Sequence, residues 1–586
     1  MRWQLAAAML VTAGLAGAVA RQATAPDGPV FRGLNVKVLA TRTEARQVLD
    51  QTAQNAAEAV GATWLVRDLD TGQGTFRLSA PPTESTVGTT PAEAWQMAHR
   101  LRANSQFDLE YVEPAFAVDG APGEVTELEE CQAATAVAES GGGDTPLEGA
   151  TKDSEWSLDH DHGANILEAW KKFPNGVSPG SGVWIGHPDT GYRRHPEIFG
   201  MSDGPVQPDL GWDFVDRDPD PSDRFEDGFL RWPGHGTKTS SVIVSPRGRQ
   251  LPGGNKSGIS GVAPGARLIP LRVANGVVLL DQSNLAAAIR AAAGTDRTVV
   301  KRQVDIISIS LGGPPSRALE DAVRLAEGNG VIVLAAAGNN VKKVVWPARY
   351  PHVIALAASN FDSRTWSGSS GGSMVAIGAP GESVWIANPK MEGAQALDCL
   401  SMSSGTSYAT ATTAGIAALW VSLHKDTDRF KALKTAGQVT SAFRKVLQST
   451  RRPGRAWDTR KYGPGIVDAQ AVLNAALPPP QESAPLSDSP CDRDLAALES
   501  VFDAVQNPRL RIAQLFGKSR ATDACDIATV ADEVAFHYAT SDVVATALDG
   551  IAARSSPSRA ALESARTALR AVGSDALKMK LTEDRR

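Results

Sequence analysis

The sequence predicts an α/β protein with a parallel-sheet domain at its centre, a small βαββαβ unit before it and a helical domain after it. Short apolar runs alternate with helical stretches through the central region, as expected for strands that are buried on both faces of a parallel sheet. The N-terminal unit shows strand-like alternation, and the C-terminal part shows amphipathic helical patterns. The 586 residues, 42% hydrophobic and 21% charged, suffice for several globular domains.

The first segment, residues 1–20, has the pattern of a secretory signal peptide. Arg2 precedes an apolar run from Leu5 to Leu15, and Ala18-Val19-Ala20 offers a small-x-small cleavage site. The run is too short for a membrane span, and no second apolar segment approaches that length. We therefore expect a protein that is secreted or lies in the periplasm or cell envelope and has no transmembrane segment. The alternative is an Ala-rich, frayed N-terminus.

Residues 30–119 predict a compact unit of βαββαβ order, the split ferredoxin-like arrangement. Its strands are expected at Gly33–Ala40, Thr63–Leu69, Thr75–Ser79 and Leu109–Val118, and its helices at Thr43–Val60 and Pro91–Ala103. Residues 120–153 are rich in Gly, Glu, Ala and Thr and have little apolar periodicity. They predict an exposed linker, where proteolytic cutting concentrates.

Residues 154–478 predict the parallel-sheet domain. Strands are expected at Val183–Gly186, Arg267–Val273, Val304–Leu311, Val331–Ala336 and Val353–Ala357, with helices such as Asn284–Ala293 and Arg317–Glu327 between them. A Pro/Ser-rich linker, residues 479–490, follows this domain. Residues 491–586 predict a helical domain, with a first helix that stops at Asn507-Pro508 and three or four further helices.

Four cysteines fit an exported protein with one or two disulfides. Cys491 and Cys525 both lie in the C-terminal domain and are the expected pair, whereas Cys131 and Cys399 either pair or remain free. No CxxC motif is present, which excludes the metal and redox sites built on it. The net charge of −6 and the lack of a long basic run argue against a nucleic-acid partner.

Three separate segments carry the residue types for nucleophilic acyl transfer. They are Trp184-Ile-Gly-His-Pro-Asp189-Thr-Gly191, Pro233-Gly-His235-Gly-Thr237, and Gly405-Thr406-Ser407 at the start of a helical pattern. A serine hydroxyl is a poor nucleophile unless an imidazole accepts its proton, and the imidazole needs a carboxylate to hold its tautomer. Each segment alone is equally a turn or a helix cap. Together, in the order Asp, His, Ser, they form a set that this chemistry needs.

From about Trp156 to Leu477 the sequence resembles the subtilisin-like (subtilase) serine endopeptidases. Further segments match the family in order: Asp305–Gly313, Leu334–Asn339, Trp346–Pro351, Ala379–Gly381 and Gly463–Ala469. The resemblance implies a subtilisin-like parallel-sheet catalytic domain. It also implies that the N-terminal unit is a propeptide that acts as an intramolecular inhibitor.

Residue by residue, the resemblance implies Ser407 as the nucleophile, His235 as general base and then acid, and Asp189 as the carboxylate that orients His235. Asn339 and the backbone N–H of Ser407 are the implied oxyanion donors. The implied substrate-binding residues are Ser310, Leu311, Gly312, Gly313, Ala337, Gly338 and Val345. The last of these corresponds to the base of the P1 pocket, often glycine in the family. A branched side chain there shortens the pocket, so we expect small or medium apolar P1 residues.

Two positions depart from the family pattern without removing a catalytic group. Ala411 stands where proline is usual, and Lys238 stands where histidine is often found. Ser370 is a rival nucleophile because Gly368–Gly372 formally matches GxSxG, but a loop and a strand-like stretch surround it rather than a strand–serine–helix elbow. His160 and His162 lack a third metal ligand nearby, and His195 resembles a structural histidine of the family.

An acidic loop precedes His235 and contains alternating carboxylates, at Asp213, Asp216, Asp218, Asp220 and Asp223. Such residues either bind structural calcium through oxygen ligands or form a solvated turn region. The catalytic chemistry requires no cofactor.

The sequence therefore predicts an exported serine endopeptidase that hydrolyses polypeptides through an acyl-enzyme. We expect it to be made as a zymogen that cuts itself between residues 114 and 156. The rival hypothesis is a non-catalytic scaffold with the subtilase fold, whose C-terminal helical domain binds a partner. The presence of all the catalytic residue types argues against the rival.

Overall fold

The structure, a computed structural model, describes residues 29–38, 46–60, 64–69, 74–80, 89–104, 107, 109–118, 153–199, 204–225, 232–246, 259–392, 395–481, 489–554 and 556–582. The signal-like segment and residues 120–152 of the linker lie outside this description. The strands are β1 Pro29–Val38, β2 Leu65–Asp68, β3 Thr75–Ser79, β4 Leu109–Val118, β5 Trp184–Asp189, β6 Trp212–Asp213, β7 Arg267–Arg272, β8 Ile306–Ile309, β9 Ile332–Ala336, β10 Ile354–Ser359, β11 Val375–Pro380, β12 Val384–Glu392 and β13 Gln395–Ser403.

The α-helices follow the same chain order. They are α1 Arg46–Val60, α2 Pro91–Arg102, α3 Ile166–Ala169, α4 Pro196–Phe199, α5 His235–Val244, α6 Ser283–Ala292, α7 Arg317–Gly328, α8 Thr406–His424, α9 Asp428–Thr435, α10 Val439–Ser449, α11 Thr459–Tyr462, α12 Ala469–Asn474, α13 Pro490–Val501, α14 Pro508–Leu515, α15 Ala528–Thr540, α16 Asp542–Ala552, α17 Arg559–Val572 and α18 Asp575–Lys580. In the part of the chain that the structure describes, none of these helices is long and apolar enough to span a bilayer.

The N-terminal unit is built on a four-stranded antiparallel sheet of order β2-β3-β1-β4. β1 is central, and its Leu34 lies opposite Leu78 of β3 on one side and Pro114 of β4 on the other. α2 begins where the sequence predicts, because Thr90 and Glu93 form a capping box around its first turn. The predicted βαββαβ order is present.

The central sheet has seven strands in the order β11-β10-β9-β8-β5-β7-β6, and all neighbours are parallel. The side chains of adjacent residues in one strand pack into different hydrophobic cores. Ile306 packs in the core that contains α8, whereas Ile307 packs in the core that contains α6 and α7. Because both faces are covered, the strands are apolar along most of their length. The predicted parallel α/β domain is confirmed.

Helix α8 runs through the interior of the central domain. Every residue from Thr406 to Val421 is buried, so small and apolar residues occupy all sides of the helix rather than one stripe. The helix packs on β8, β9, β10 and α5. Ala411 is fully buried within it, and the helix continues there without the family's usual proline.

A long antiparallel hairpin, β12–β13, precedes α8 and is absent from the sequence prediction. Val384 pairs with Ser403, and Ala387 pairs with Leu400. α5 packs on β12, and Gly234 lies against Pro389 of the hairpin. The hairpin therefore packs against the start of α5 and leads along the chain into the start of α8. Its serines, asparagine and proline give the local sequence no clear strand alternation.

The C-terminal region is helical, as predicted, and begins with α13, which Ser489 caps. A disulfide joins Cys491 to Cys525, which confirms the expected pair. Cys399 is also disulfide-bonded, while Cys131 lies outside the described residues. Five α-helices follow α13 in the described part instead of three or four, because Ser541 ends α15 and at once caps α16.

Candidate active site

Asp189 is the last residue of β5, which lies between β8 and β7 in the sheet. Its carboxylate is fully buried, and Oδ1 accepts hydrogen bonds from His235 Nδ1 at 2.7 Å and from the backbone N–H of Thr190 at 2.7 Å. Burial raises the pKa of this carboxyl, but the charge of His235 and its hydrogen bond outweigh burial and hold the pKa below its usual value. Asp189 is therefore ionised beside the imidazole.

His235 begins α5 and is almost completely buried. Gly236 allows the helix start to approach the turn after β5, since a Cβ atom there would lie 2.0 Å from the carbonyl oxygen of Gly191. The N–H of Gly234 donates to Asp223 Oδ2 at 2.8 Å, which ties the helix start to the acidic loop. These contacts aim the imidazole between Asp189 and the start of α8.

Ser407 lies in the first turn of α8, and its Oγ is 3.2 Å from His235 Nε2. Ser310, the residue after β8, donates from its Oγ to the carbonyl oxygen of Ser407 at 3.2 Å. The backbone N–H groups of a helix's first turn have no partner within the helix and form its positive end. Asp189, His235 and Ser407 thus form one hydrogen-bonded line at the carboxyl edge of the sheet, where ligands bind in open α/β folds.

Asn339 follows β9 and is held by the residue before Ser407. Its Oδ1 accepts from the N–H of Thr406 at 2.9 Å and from Thr406 Oγ1 at 2.7 Å. Because the oxygen is occupied in this way, the amide group is left as a donor. Asn339 Nδ2 would lie 3.3 Å from a Cβ atom at Gly405, which places it beside the turn that leads into Ser407.

The segments expected to bind substrate lie on both sides of Ser407. Ser310, Leu311, Gly312 and Gly313 follow β8, and Ala337 and Gly338 follow β9. Val345 lies between the two segments. A Cβ atom added to Gly312 would lie 2.5 Å from Val345 Cγ2, and one added to Gly338 would lie 3.2 Å from Val345 Cγ1. The Val345 isopropyl group therefore lies at the bottom of the cleft, between the segments Ser310–Gly313 and Ala337–Gly338.

The rival serine, Ser370, lies next to this cleft in a structural role. Its Oγ donates to the carbonyl oxygen of Val341 at 2.8 Å, and the residue is buried. His162 stacks on Phe361 with 3.7 Å between ring centroids, and His195 Nε2 lies 3.1 Å from the carbonyl oxygen of Cys399. These contacts give the imidazoles of His162 and His195 defined partners.

Comparisons with known proteins find matches over the central domain. The model of the subtilase family matches residues 180–465. Thermitase from Thermoactinomyces vulgaris is 32% identical over 259 residues, 44% of this chain and 81% of that protein. Subtilisin Savinase from Lederbergia lenta is 29% identical over 295 residues, 50% of this chain and 91% of that protein. The chain belongs to the subtilase family.

As a subtilase, the chain is a serine-type endopeptidase. Among solved structures, fervidolysin from Fervidobacterium pennivorans has a TM-score of 0.50 at 20% identity, over 78% of this chain and 63% of that chain. This likeness shows the shared fold alone.

The acidic loop of this subtilase brings carboxylates of Asp213, Asp216 and Asp218 within 4.8 Å of one another. Two arginines already bind them. Arg272 Nη1 donates to Asp213 Oδ2 at 2.5 Å and to Asp216 Oδ2 at 2.7 Å. Arg224 lies within 3.0–3.5 Å of one carboxylate oxygen of each of Asp213, Asp216, Asp218 and Asp220.

Backbone N–H groups occupy most of the other oxygen atoms of this loop. Asp213 Oδ1 accepts from Val215 and Asp216, and Asp218 Oδ1 accepts from Asp220. A calcium ion needs six to eight oxygen ligands, and here guanidinium and backbone donors already hold those oxygens. The residues as arranged do not fit calcium, and Arg224 supplies the positive charge instead.

Sequence reasoning assigned no role to His187, although it is a polar residue within an apolar strand. Its side chain is 1% exposed, and Nε2 lies 3.1 Å from Thr239 Oγ1 and 3.8 Å from Asp189 Oδ2. Burial lowers the pKa of His187 to about 4, against the charge of Asp189, which raises it. A neutral imidazole therefore lies beside the Asp189 carboxylate.

A second contribution that the sequence did not signal comes from the C-terminal domain. Tyr538 of α15 meets Trp346 edge to face, with 6.4 Å between ring centroids. The Arg349 guanidinium lies 5.5 Å from the Trp346 ring centre and 5.1 Å from that of Tyr538, and Lys343 Nζ donates to the Tyr538 carbonyl oxygen. The segment that contains Val345 thus packs against Tyr538, which lies 195 residues after Lys343 in the chain.

The arginine pairing predicts that the acidic loop contributes no calcium-dependent stability. Arg224→Gln removes the shared cation, so we expect repulsion among the carboxylates to lower the thermal midpoint by about 2–4 °C at low salt. Calcium should restore the midpoint of this variant, whereas a chelator should leave that of the parent unchanged. Arg460→Gln, at an arginine side chain that is 91% exposed, is the control. A parent midpoint that falls with chelator and recovers with calcium would contradict the assignment.

The burial of His187 predicts a loss of stability in acid. The pKa of His187 is 6.5 in the unfolded chain and about 4 in the folded chain. Between these pH values the unfolded state binds a proton that the folded state does not. The free energy of unfolding therefore decreases by about 3 kcal/mol as the pH falls from 6.5 to 4. In a Ser407→Ala background, His187→Gln should make the thermal midpoint fall less steeply from pH 6.5 to 4. Val177→Ala, at a non-titrating residue that is 44% exposed, should keep the parental slope. Equal slopes for the parent and His187→Gln would show that His187 does not titrate there.

Proposed function

We propose that this subtilase is an exported endopeptidase, made as a self-processing zymogen, that hydrolyses peptide bonds through an acyl-enzyme with Ser407, His235 and Asp189. The hydrogen-bonded line from Asp189 through His235 to Ser407 Oγ carries the proposal. A buried, ionised carboxylate holds the imidazole with Nε2 toward the hydroxyl, which is the orientation that general-base catalysis requires.

The reaction begins when Ser407 Oγ attacks the substrate carbonyl carbon while His235 Nε2 takes the hydroxyl proton. Asp189 stabilises the imidazolium that forms. The N–H of Ser407 and Asn339 Nδ2 donate to the oxyanion of the tetrahedral intermediate. When the intermediate collapses, the C–N bond breaks and His235 gives the proton to the leaving amine. A water molecule then repeats the sequence on the acyl-enzyme and releases the carboxylate product and Ser407.

The substrate in this proposal is an extended polypeptide that lies along Ser310–Gly313 and Ala337–Gly338. Gly312 and Gly313 pack tightly against the protein itself, because a Cβ atom would lie 2.5 Å from Val345 Cγ2 at the first position and 1.7 Å from the carbonyl oxygen of Leu279 at the second. The Val345 isopropyl group fills the bottom of the cleft between the two segments. This filling supports a preference for small or medium apolar P1 residues.

The N-terminal unit is proposed to be the inhibitory propeptide, and its contacts with the catalytic domain support this. The Glu113 carboxylate accepts hydrogen bonds from the N–H of Arg317 at 2.7 Å and from Ser316 Oγ at 2.9 Å, at the start of α7. A carboxylate at a helix N-terminus is stabilised by the helix dipole. Arg77 Nη2 donates to Asp281 Oδ2 at 2.6 Å and to Ser283 Oγ at 3.0 Å. The proposed cut lies between residues 114 and 156, and the proposed export signal is residues 1–20.

Replacement of the nucleophile tests both activity and self-processing. Ser407→Ala should lose labelling by a fluorophosphonate probe, which reacts only with an activated serine, and should lower kcat by about 10⁴-fold or more. The variant should also remain full length by intact-mass measurement. Ser370→Ala is the matched control and should keep both labelling and self-cleavage. Self-cleavage by purified Ser407→Ala would refute autoprocessing, and a parent chain that takes no label would favour the non-catalytic scaffold.

Removal of the Val345 side chain tests the proposed P1 pocket. Val345→Gly should deepen the floor, so kcat/KM for a P1 Phe peptide should rise relative to a P1 Ala peptide by about 10-fold or more. Val177→Ala, at a valine that is 44% exposed, should leave the ratio unchanged. A parent enzyme that already prefers Phe, Lys or Arg at P1 would contradict the assignment of Val345.

A further inference from the structure

The C-terminal domain packs on the N-terminal unit as well as on the catalytic domain. Helix α15 contacts α2 of the N-terminal unit, and its Tyr538 contacts Trp346 of the catalytic domain. At the junction of all three parts, a cavity of about 10 Å³ is lined by residues that include Trp95, Leu280 and Phe536. Such a space holds about one water molecule, so the three parts are closely packed there.

The apolar centre of this contact is Phe536, which belongs to the hydrophobic core of the N-terminal unit. Its ring stacks on Phe116 with centroids 5.2 Å apart and an interplanar angle of 27°. It also meets Trp95 edge to face at 6.0 Å. Phe536 is 4% exposed, so departure of the N-terminal unit would uncover the rings on both sides.

A buried carboxylate of the C-terminal domain is oriented to receive α2. Glu533 accepts hydrogen bonds from the N–H of Ser574 at 2.6 Å and from Ser574 Oγ at 2.8 Å, both within its own domain. Its Oε2 lies 2.7 Å from His99 Nε2 of α2. Burial raises the pKa of Glu533, but the neighbouring imidazoles of His537, 3.5 Å away, and His99 outweigh this and lower the pKa to about 2. The acceptor is thus ionised and held in place from the C-terminal side.

Two ion pairs of opposite polarity surround this centre. Arg102 Nη2 of α2 lies 2.8 Å from Asp494 Oδ2 of α13. Arg493 Nη1 of α13 lies 3.3 Å from Glu110 Oε1 of β4. One pair has its cation on the N-terminal unit and the other on the C-terminal domain, so a displaced or reversed unit would bring like charges together. Beyond these contacts, residues of α2 and residues 573–578 line an open groove of about 950 Å³. The N–H of Ala576 donates to Gln96 Oε1 of α2 at 3.0 Å.

We propose that the C-terminal helical domain is a second binding site for the N-terminal unit and retains it on the protease after the linker has been cut. We define the docking face as Arg493, Asp494, Glu533 and Phe536. Activation, which depends on the self-cleavage proposed above, then requires release from the docking face as well as from the catalytic domain. Cleavage alone leaves a covered, inhibited enzyme.

The test uses the full chain with Ser407→Ala and with a recognition sequence for a foreign site-specific protease inserted between residues 120 and 130. This position is N-terminal to Cys131, so no disulfide of that cysteine can hold the released fragment. The chain is immobilised through a C-terminal tag and nicked, and loss of the N-terminal fragment is followed over time. The nicked parent should keep the fragment. Arg102→Gln should speed its release by about 10-fold, and Phe536→Ala by about 100-fold. Asp526→Asn and Val543→Ala, at exposed positions of the same domain, should stay within about twofold of the parent.

Arg102→Gln changes a partly exposed residue of the N-terminal unit, so it keeps the test decisive if Phe536→Ala unfolds its own domain. Thermal scans of the un-nicked variants identify such unfolding. Prompt loss of the fragment from the nicked parent overturns the proposal. Release from Arg102→Gln at the parental rate overturns it as well. No variant contains Ser407, so an error in the assigned protease chemistry does not affect the result.

Discussion

The hydrogen bond from His235 Nδ1 to Asp189 Oδ1 is the contact on which the catalytic arrangement depends. The carboxylate is fully buried at the end of a central strand, and a buried charge is stable only with a close partner. The partner can approach only because Gly191 and Gly236 bring the helix start against the turn after β5. The orientation of the imidazole toward Ser407 follows from this one bond.

Helix α8 supplies the other half of the site through burial rather than through local capping. Gly405, which precedes the helix, makes no side-chain cap. The helix is nevertheless fixed, because its residues from Thr406 to Val421 are buried. Thr406 then binds Asn339, so the proposed nucleophile and the proposed oxyanion donor are positioned by adjacent residues. A shift of α8 along its axis would move both groups together. Packing in the core is thereby coupled to the geometry of the candidate active site.

Charged groups are buried at several contacts between parts of the chain, and each has a defined partner. Arg272 and Arg224 pair with carboxylates of the acidic loop that contacts the start of α5. Glu113 links the N-terminal unit to α7, and Glu533 links it to the C-terminal domain. Since an unpaired buried charge is costly, separation of the three parts must rehydrate or re-pair these groups. The cost opposes separation and makes it cooperative.

The sequence alone determined the order of domains, the apolar strands of the central sheet, the Cys491–Cys525 pair and the residue types of the candidate site. Strand burial and helix capping leave local patterns, so their positions can be predicted within a few residues. The subtilase motifs further gave each residue an expected role. Hairpin β12–β13 was missed because its pairing is not encoded in the alternation of either strand.

Only the tertiary structure decided which groups meet across long stretches of chain. Arg224 occupies the place where the alternating carboxylates alone predicted calcium or a solvated turn. His187 lies beside Asp189 because both belong to the buried strand β5. Tyr538, which lies 195 residues after Lys343 in the chain, packs against the segment that contains Val345. Such contacts depend on how helices and strands pack, and packing is a property of shape and burial that one-dimensional spacing does not specify.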